Sequence, residues 1–257
     1  MNPFGKITPL RSPIAINLAE RHPASACDEC GARHIGLCDA LSDEELGFLF
    51  RAAQHMSIPP GKLLMEEGGP AQHYFNVNSG MVRLFKALPD GRRQIIGFAG
   101  PGHFIGLALT EVNVVSAEAM EPVQVCRFSR AGLSAMAADY PALERKLLDI
   151  AVHELALGQQ QMLLLGRKTA LERTASFLLS WAQRQEPCGD GGLPRPNAKL
   201  ILPLARADLA DYLGLTIETV SRSLGHLKKD GLIEITKIHE IILLRPKALA
   251  EVAEAAD

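Results

Sequence analysis

The sequence predicts an α+β protein with three parts in order: an N-terminal antiparallel β-barrel, a long dimerisation helix and a C-terminal winged helix-turn-helix. Three observations carry this. From Ile58 the chain breaks into short apolar segments punctuated by glycine, the texture of an antiparallel barrel or sandwich. From Pro141 to Gly166 the apolar residues recur at helical spacing over about 26 residues. The run LTIETVSRSLGHLKKDGLI, residues 215–233, has the pattern of a helix that reads DNA. The division that follows is an arm with a cysteine cluster at 1–40, the barrel at 41–140, the dimerisation helix at 141–166, the winged helix-turn-helix at 167–247 and a tail at 248–257.

Residues 1–26 are rich in Pro, Ser and Ala without periodicity and read as a loose arm. The start has neither the apolar h-region nor the cleavage signature of a secretory signal. No apolar run approaches the roughly 20 residues a membrane span requires. A cytoplasmic protein with no membrane partner is therefore expected. Next, LSDEELGFLFRAAQ reads as a short helix with Ser42 as N-cap and Glu45 closing a capping box. In the barrel, Asp90-Gly91 between MVRLFKA and RRQIIGF is a hairpin turn. The glycines at 61, 68, 80, 91, 102 and 106 fall at its corners.

The long helix carries two apolar stripes. Leu148, Ala151, Leu155, Gly158, Met162 and Leu165 form one; Leu147, Ile150, Leu157 and Leu164 form the other. One stripe suffices to pack on the barrel, so two stripes, one with the small residues Ala151 and Gly158, are expected to leave one face to meet the same helix of a second subunit. After a further helix holding the only tryptophan, Trp181, EPCGDGGLPRPN is a loop. In ARADLADYLGL a short helix turns Leu209, Ala210 and Leu213 inward, and Gly214 permits the left-handed corner between helices. Thr216 caps the second helix, whose inner face is Val220, Leu224 and Leu227. Its outer face presents Glu218, Thr219, Ser221 and Arg222 where polar side chains reach base edges. LIEITKIHEIILL, at 232–244, alternates as a wing hairpin would.

Charge agrees with this layout. The chain carries a net −2, yet residues 167–247 hold 13 Lys and Arg against 9 Asp and Glu. The basic excess sits with the helix-turn-helix, as phosphate contact requires. No catalytic constellation emerges, so an enzyme is not expected.

Five cysteines remain: Cys27, Cys30 and Cys38 in a C-x2-C-x7-C run, Cys126 near the end of the barrel, and Cys188 in the Gly/Pro loop. In a cytosolic chain such spacing reads as metal ligation rather than disulfides. The residues alone leave three options open. Four thiolates suit an iron–sulfur cluster; Cys27, Cys30, His34 and Cys38 suit zinc; and Cys126 suits a small core residue. Cys188 has no partner in any scheme, and His22 and His34 are expected at the surface.

The order barrel, long helix, winged helix-turn-helix resembles the CRP/FNR superfamily of bacterial transcription regulators over roughly residues 41–247. IPPGKLLMEEG resembles the opening of its cyclic-nucleotide-binding barrel, and QMLLLGRKTALERTASFLL resembles the joint between dimer helix and DNA-binding domain. Where that superfamily places the Glu and Arg that bind cyclic AMP, PGHFIGLALTEVNVVSAEA puts Leu107 and Val115. A buried phosphate without a cation is costly, so cyclic AMP is not the expected ligand. The cysteines resemble the FNR branch, in which three N-terminal cysteines and one barrel cysteine hold an oxygen-labile [4Fe–4S] cluster. The prototype of that branch has a shorter second spacing. The resemblance implies that Cys27, Cys30, Cys38 and Cys126 are the ligands. Glu218-x-x-Ser221-Arg222 resembles the E-x-x-S-R signature of the same branch, which implies an inverted repeat TTGAT-N4-ATCAA as target. Arg222 can donate a bidentate pair to guanine, and Glu218 can accept from cytosine or adenine or orient Arg222. By the same resemblance RNA polymerase is a partner, through the loop Lys86–Arg93. The expected function is an oxygen-responsive regulator acting as a homodimer on double-stranded DNA. Its rivals are an iron–sulfur electron carrier or enzyme, and a regulator sensing a small ligand or thiol state with zinc or no metal at the N-terminal cysteines.

Overall fold

The computed structural model describes Cys27 and residues 30–108, 110–185 and 192–254. Cys188 lies outside the described residues. The chain divides between Gly158 and Gln159 into two compact units.

The first unit is built on eight strands: β1 (Gln54–Ile58), β2 (Leu63–Met65), β3 (His73–Ser79), β4 (Val82–Ala87), β5 (Arg93–Ala99), β6 (Phe104–Ile105), β7 (Ser116–Ala119) and β8 (Val123–Ser129). They pair antiparallel as two four-stranded sheets, β1-β8-β3-β6 and β2-β7-β4-β5. The expected barrel is thus a sandwich of two sheets rather than one closed ladder. The cause lies in the corners. Gly61, Gly68, Gly80, Gly102 and Gly106 all have positive φ and stand where the chain crosses from one sheet to the other. Between the sheets lies an apolar core of Phe75, Val77, Val82, Ala117, Val123 and Val125.

A second core forms on the outer face of the β1-β8-β3-β6 sheet. Here a short 3₁₀ turn (Gly36–Ala40), α1 (Asp43–Ala52), α2 (Arg130–Asp139) and the start of α3 (Pro141–Arg167) close over Phe104 and Phe128. Leu37, Leu41, Leu46, Leu49, Leu133 and Leu143 fill it. Ser42 caps α1 as expected, accepting from the Glu45 amide while the Glu45 carboxylate accepts from the Ser42 amide at 2.8 Å. The described end of the N-terminal arm, residues 30–40, is therefore part of this core. Gly36 makes that possible: at φ +69° it lies so close to Gly102 that a Cβ would collide with the Gly102 carbonyl. The separate helix α2, absent from the sequence reading, is capped by Ser129, whose hydroxyl accepts from the Gly132 amide.

In the second unit α4 (Ala170–Gln185), β9 (Ala198–Ile201), α5 (Arg206–Leu213), α6 (Ile217–Lys229), β10 (Ile233–Lys237), β11 (Glu240–Leu243) and α7 (Pro246–Glu254) follow in order. The wing is a three-stranded sheet, β10-β11-β9, so the hairpin expected at 232–244 has an extra strand donated from 198–201. The tail expected at 248–257 is corrected too: Pro246 opens a helix whose Leu249 and Ala253 are buried. Pro at the first helical position with apolar residues four apart is a helix start. Trp181 on α4 donates from its indole to the Ile201 carbonyl at 3.0 Å.

Candidate DNA-reading head and cysteine site

α5 ends at Gly214, which takes the left-handed conformation (φ 62°, ψ 41°), and Thr216 then caps α6 by accepting from the Thr219 amide at 3.2 Å. Leu209, Ala210 and Leu213 of α5 meet Val220, Leu224 and Leu227 of α6, and all are buried. This leaves Glu218, Ser221 and Arg222 exposed and Thr219 half-buried at the first turns of α6. The predicted reading residues thus stand together on the first turns of a helix, a placement that suits entry into a major groove. Glu218 is held below the usual carboxylate range by backbone hydrogen bonding at the cap, by the Thr216 hydroxyl and by the charge of Arg222 four residues on. Arg173 ties the corner down: its Nη1 donates to the Leu213 carbonyl and its Nη2 to the Leu165 carbonyl, each at 2.9 Å.

The second site is made by the outer core of the first unit. Cys27, Cys30, Cys38 and Cys126, with Arg33, Phe50, His55 and Asn78, line one pocket, and none of the four is in a disulfide. Different parts of the chain deliver them. Cys27 and Cys30 share a turn closed by the Cys30 amide on the Cys27 carbonyl at 3.1 Å. Cys38 lies in the 3₁₀ turn, whose Cys38 carbonyl accepts from Arg33 Nη1 at 3.0 Å. Cys126 lies mid-strand in β8. Burial pushes Cys38 far up, and Cys126, Cys30 and Cys27 add to the rise while Arg33 opposes it. Burial likewise pushes Cys126 up to about 12, against a hydrogen bond from Asn78 that favours its anion. The charges of Cys27 and Cys30 raise both Cys38 and Cys126, so the four sulfurs lie near one another around this pocket. Among the described residues, no three His, Cys, Asp or Glu side chains are arranged to hold a single metal ion. The donor set fits a group that takes one thiolate at each of four corners.

Sequence reasoning missed His55 and Asn78. His55 faces Cys126 across the β1–β8 ladder, with Nδ1 3.4 Å from its Sγ, and Asn78 Nδ2 donates to the same sulfur at 3.1 Å. Only the strand register shows this, because both residues lie far from Cys126 in sequence. His34 is exposed, as expected.

Comparison with known proteins agrees with both halves of this picture. The model of the Crp-like helix-turn-helix domain matches residues 172–252, and that of the cyclic nucleotide-binding domain matches residues 55–140. The nitrogen fixation regulation protein FixK of Bradyrhizobium diazoefficiens is 38% identical, the match covering 90% of this chain and 94% of that protein. The transcriptional activator protein FnrL of Cereibacter sphaeroides is 33% identical over 90% of this chain and 93% of its own length. The structure of FixK2 from Bradyrhizobium japonicum superposes with a TM-score of 0.71 at 36% identity, covering 80% of this chain and 99% of that one.

Fold and reading head together define a DNA-binding transcription regulator, not an enzyme. The chain belongs to the CRP/FNR family of transcription regulators. Among its described residues, no helix is long and apolar enough to cross a membrane.

Proposed function

We propose that this protein is an oxygen-responsive regulator that binds TTGAT-N4-ATCAA-like promoter sites as a homodimer while a [4Fe–4S] cluster is held by Cys27, Cys30, Cys38 and Cys126. The observation that carries the reading is the convergence of those four thiols, from an N-terminal turn and from mid-strand β8, on one pocket. When bound, the cluster supplies an oxidisable centre that four thiolates can share.

The chain's own residues couple that site to dimerisation. Leu37 and Leu41, flanking Cys38, share one apolar cluster with Leu143, Leu147 and Ile150 of α3. Lys146 of α3 lies 3.7 Å from the Asp39 carboxylate. A shift of the cysteine turn is therefore felt in the first turns of α3. Further along, Leu148, Val152, Leu155 and Met162 are each more than half exposed, an unpartnered apolar stripe at the 4-3-7 spacing a parallel helix pair uses. A dimer presents two copies of α6 to two half-sites, and a monomer presents one. Since about 1.4 kcal/mol is a tenfold change in binding, a modest loss of dimerisation empties the promoter. The hairpin tip around Lys86–Arg93, with Leu88 exposed, is the surface offered to RNA polymerase.

The test is purification without oxygen, with visible absorption, iron and sulfide measured, followed by admission of air during binding to a TTGAT-N4-ATCAA duplex. Loss of colour together with DNA binding is expected. A colourless protein whose DNA binding ignores air refutes the cluster and leaves the family assignment intact.

A further inference from the structure

Asn78 occupies an unusual place in the ladder. β3 pairs with β8 through Val77↔Val125 and then Ser79↔Gln124, so Asn78 is the extra residue of a β-bulge. Alternation along β3 puts Asn78 on the same outer face as Asn76, which pairs directly with Cys126, and bulges gather beside functional sites. Asn78 is 7% exposed and its amide Nδ2 stands 3.1 Å from Cys126 Sγ. Its other end is fixed as well: Asn78 Oδ1 accepts from Asn76 Nδ2 at 3.4 Å, which leaves the NH₂ group facing the sulfur. The backbone carbonyl of Asn78 also bears on the N-terminal turn, 3.2 Å from where a Cβ on Gly31 would lie. One residue therefore touches the barrel cysteine by its side chain and the Cys27–Cys30 turn by its backbone.

Polar groups are buried here at a cost. The Oδ1 of Asn76 and the Nε2 of His55 have no hydrogen-bond partner. An amide placed against a thiol in such surroundings is a weak stabiliser of a neutral S–H, whereas N–H donors to a thiolate are charge-assisted and stronger. The arrangement suits a sulfur that carries negative charge in the working state.

We propose that Asn78 is the positioning residue of the cysteine site: through its N–H···S bond it orients the Cys126 thiolate towards the three N-terminal cysteines and makes the cluster they hold harder to oxidise. The inference rests on the cluster reading above. Hydrogen bonds to ligating sulfur draw electron density from a cluster and raise its reduction potential, and such outer partners hold ligands in place. His55, on the opposite side of the same sulfur, contributes a second contact.

The experiment compares wild type with Asn78→Asp, which keeps the shape and loses the donor, Asn78→Leu, which loses all polarity, and Asn78→Ser, which restores a shorter donor. Each is purified without oxygen. Iron content, the midpoint potential of the bound cluster and the rate at which visible colour fades in air are measured. The Asp and Leu variants are expected to have lower potentials and to fade roughly three- to tenfold faster, the range one hydrogen bond supplies, with the Ser variant between them and wild type. Equal potentials and equal fading in all four overturn the proposal while the cluster reading stands. If Asp and Leu fail to load, iron retention and potential in the Ser variant decide: wild-type values there overturn it. A wild-type protein without iron or sulfide removes the cluster reading and this inference together.

Discussion

Gly36→Ala is the most informative single change, because the cost follows from geometry alone. The position combines φ +69° with a backbone neighbour that cannot move aside: a Cβ would collide with the Gly102 carbonyl oxygen and come within 2.8 Å of its carbon. A left-handed conformation costs an L-residue about 1–2 kcal/mol. The collision adds more, since relief requires the turn carrying Cys38 to lift. Lifting exposes Leu37, which is fully buried and worth about 2 kcal/mol, and loses the bond from Arg33 to the Cys38 carbonyl, about 1 kcal/mol. The total is about 4 kcal/mol, or a fall in melting temperature of about 8–16 °C at roughly 2–4 °C per kcal/mol. Gly91→Ala is the matched control: its φ is +86° but nothing lies within 4 Å of its Cβ, so it carries only the conformational strain. Melting both variants in metal-free form, with limited proteolysis of residues 30–40, reads the difference directly. If the two variants melt together and Gly36→Ala keeps its N-terminal turn protected, docking of the cysteine turn through Gly36 is wrong.

Three further outcomes are expected. Arg222→Ala weakens binding to a TTGAT-N4-ATCAA duplex by about 1–3 kcal/mol per half-site and relaxes discrimination at the G·C pair; equal loss on every sequence, read by fluorescence anisotropy, assigns Arg222 to phosphate instead. Leu155→Glu places a charge in the exposed stripe of α3, where Leu155 is 62% exposed, and shifts sedimentation to a monomer without altering the melting of the isolated chain; an unchanged sedimentation coefficient moves the dimer contact elsewhere. The metal-free protein is expected to lose stability in alkali. Cys38 and Cys126 both hold their protons more tightly folded than unfolded, so their contribution is complete below the ordinary thiol value of 9.0 and is lost as pH rises towards 12. Melting temperature should be level to about pH 8 and decline above it, and replacing both cysteines by Ser should flatten that decline.

The reading head was almost wholly legible in the sequence, because every signal is local: the Gly214 corner, the Thr216 cap and the Val220, Leu224, Leu227 face lie within 14 residues. The corner glycines were legible for the same reason, although whether the strands closed into one barrel was not. That depends on which strands pair, and pairing joins residues such as Gln54 and Arg127. The helix α7 was missed despite Pro246 and Leu249, since the acidic, alanine-rich end was read by composition instead of by its spacing. At the cysteine site the four cysteines were visible and their environment was not. Asn78 in NVNSG looks like any turn residue until the pairing of β3 with β8 sets it beside Cys126.

The placement of the four thiols has a consequence for the energetics of the whole first unit. Cys38 lies just before α1, and Cys126 lies in β8, so nearly the entire sandwich is strung between them. Any group bound to both is a removable cross-link closing a loop of about 90 residues. By the chain-entropy account used for disulfides, a tie of that span restricts the unfolded chain by about 4–5 kcal/mol. Such a tie would make binding and folding the same equilibrium: a unit that released the bound group would also lose its clasp.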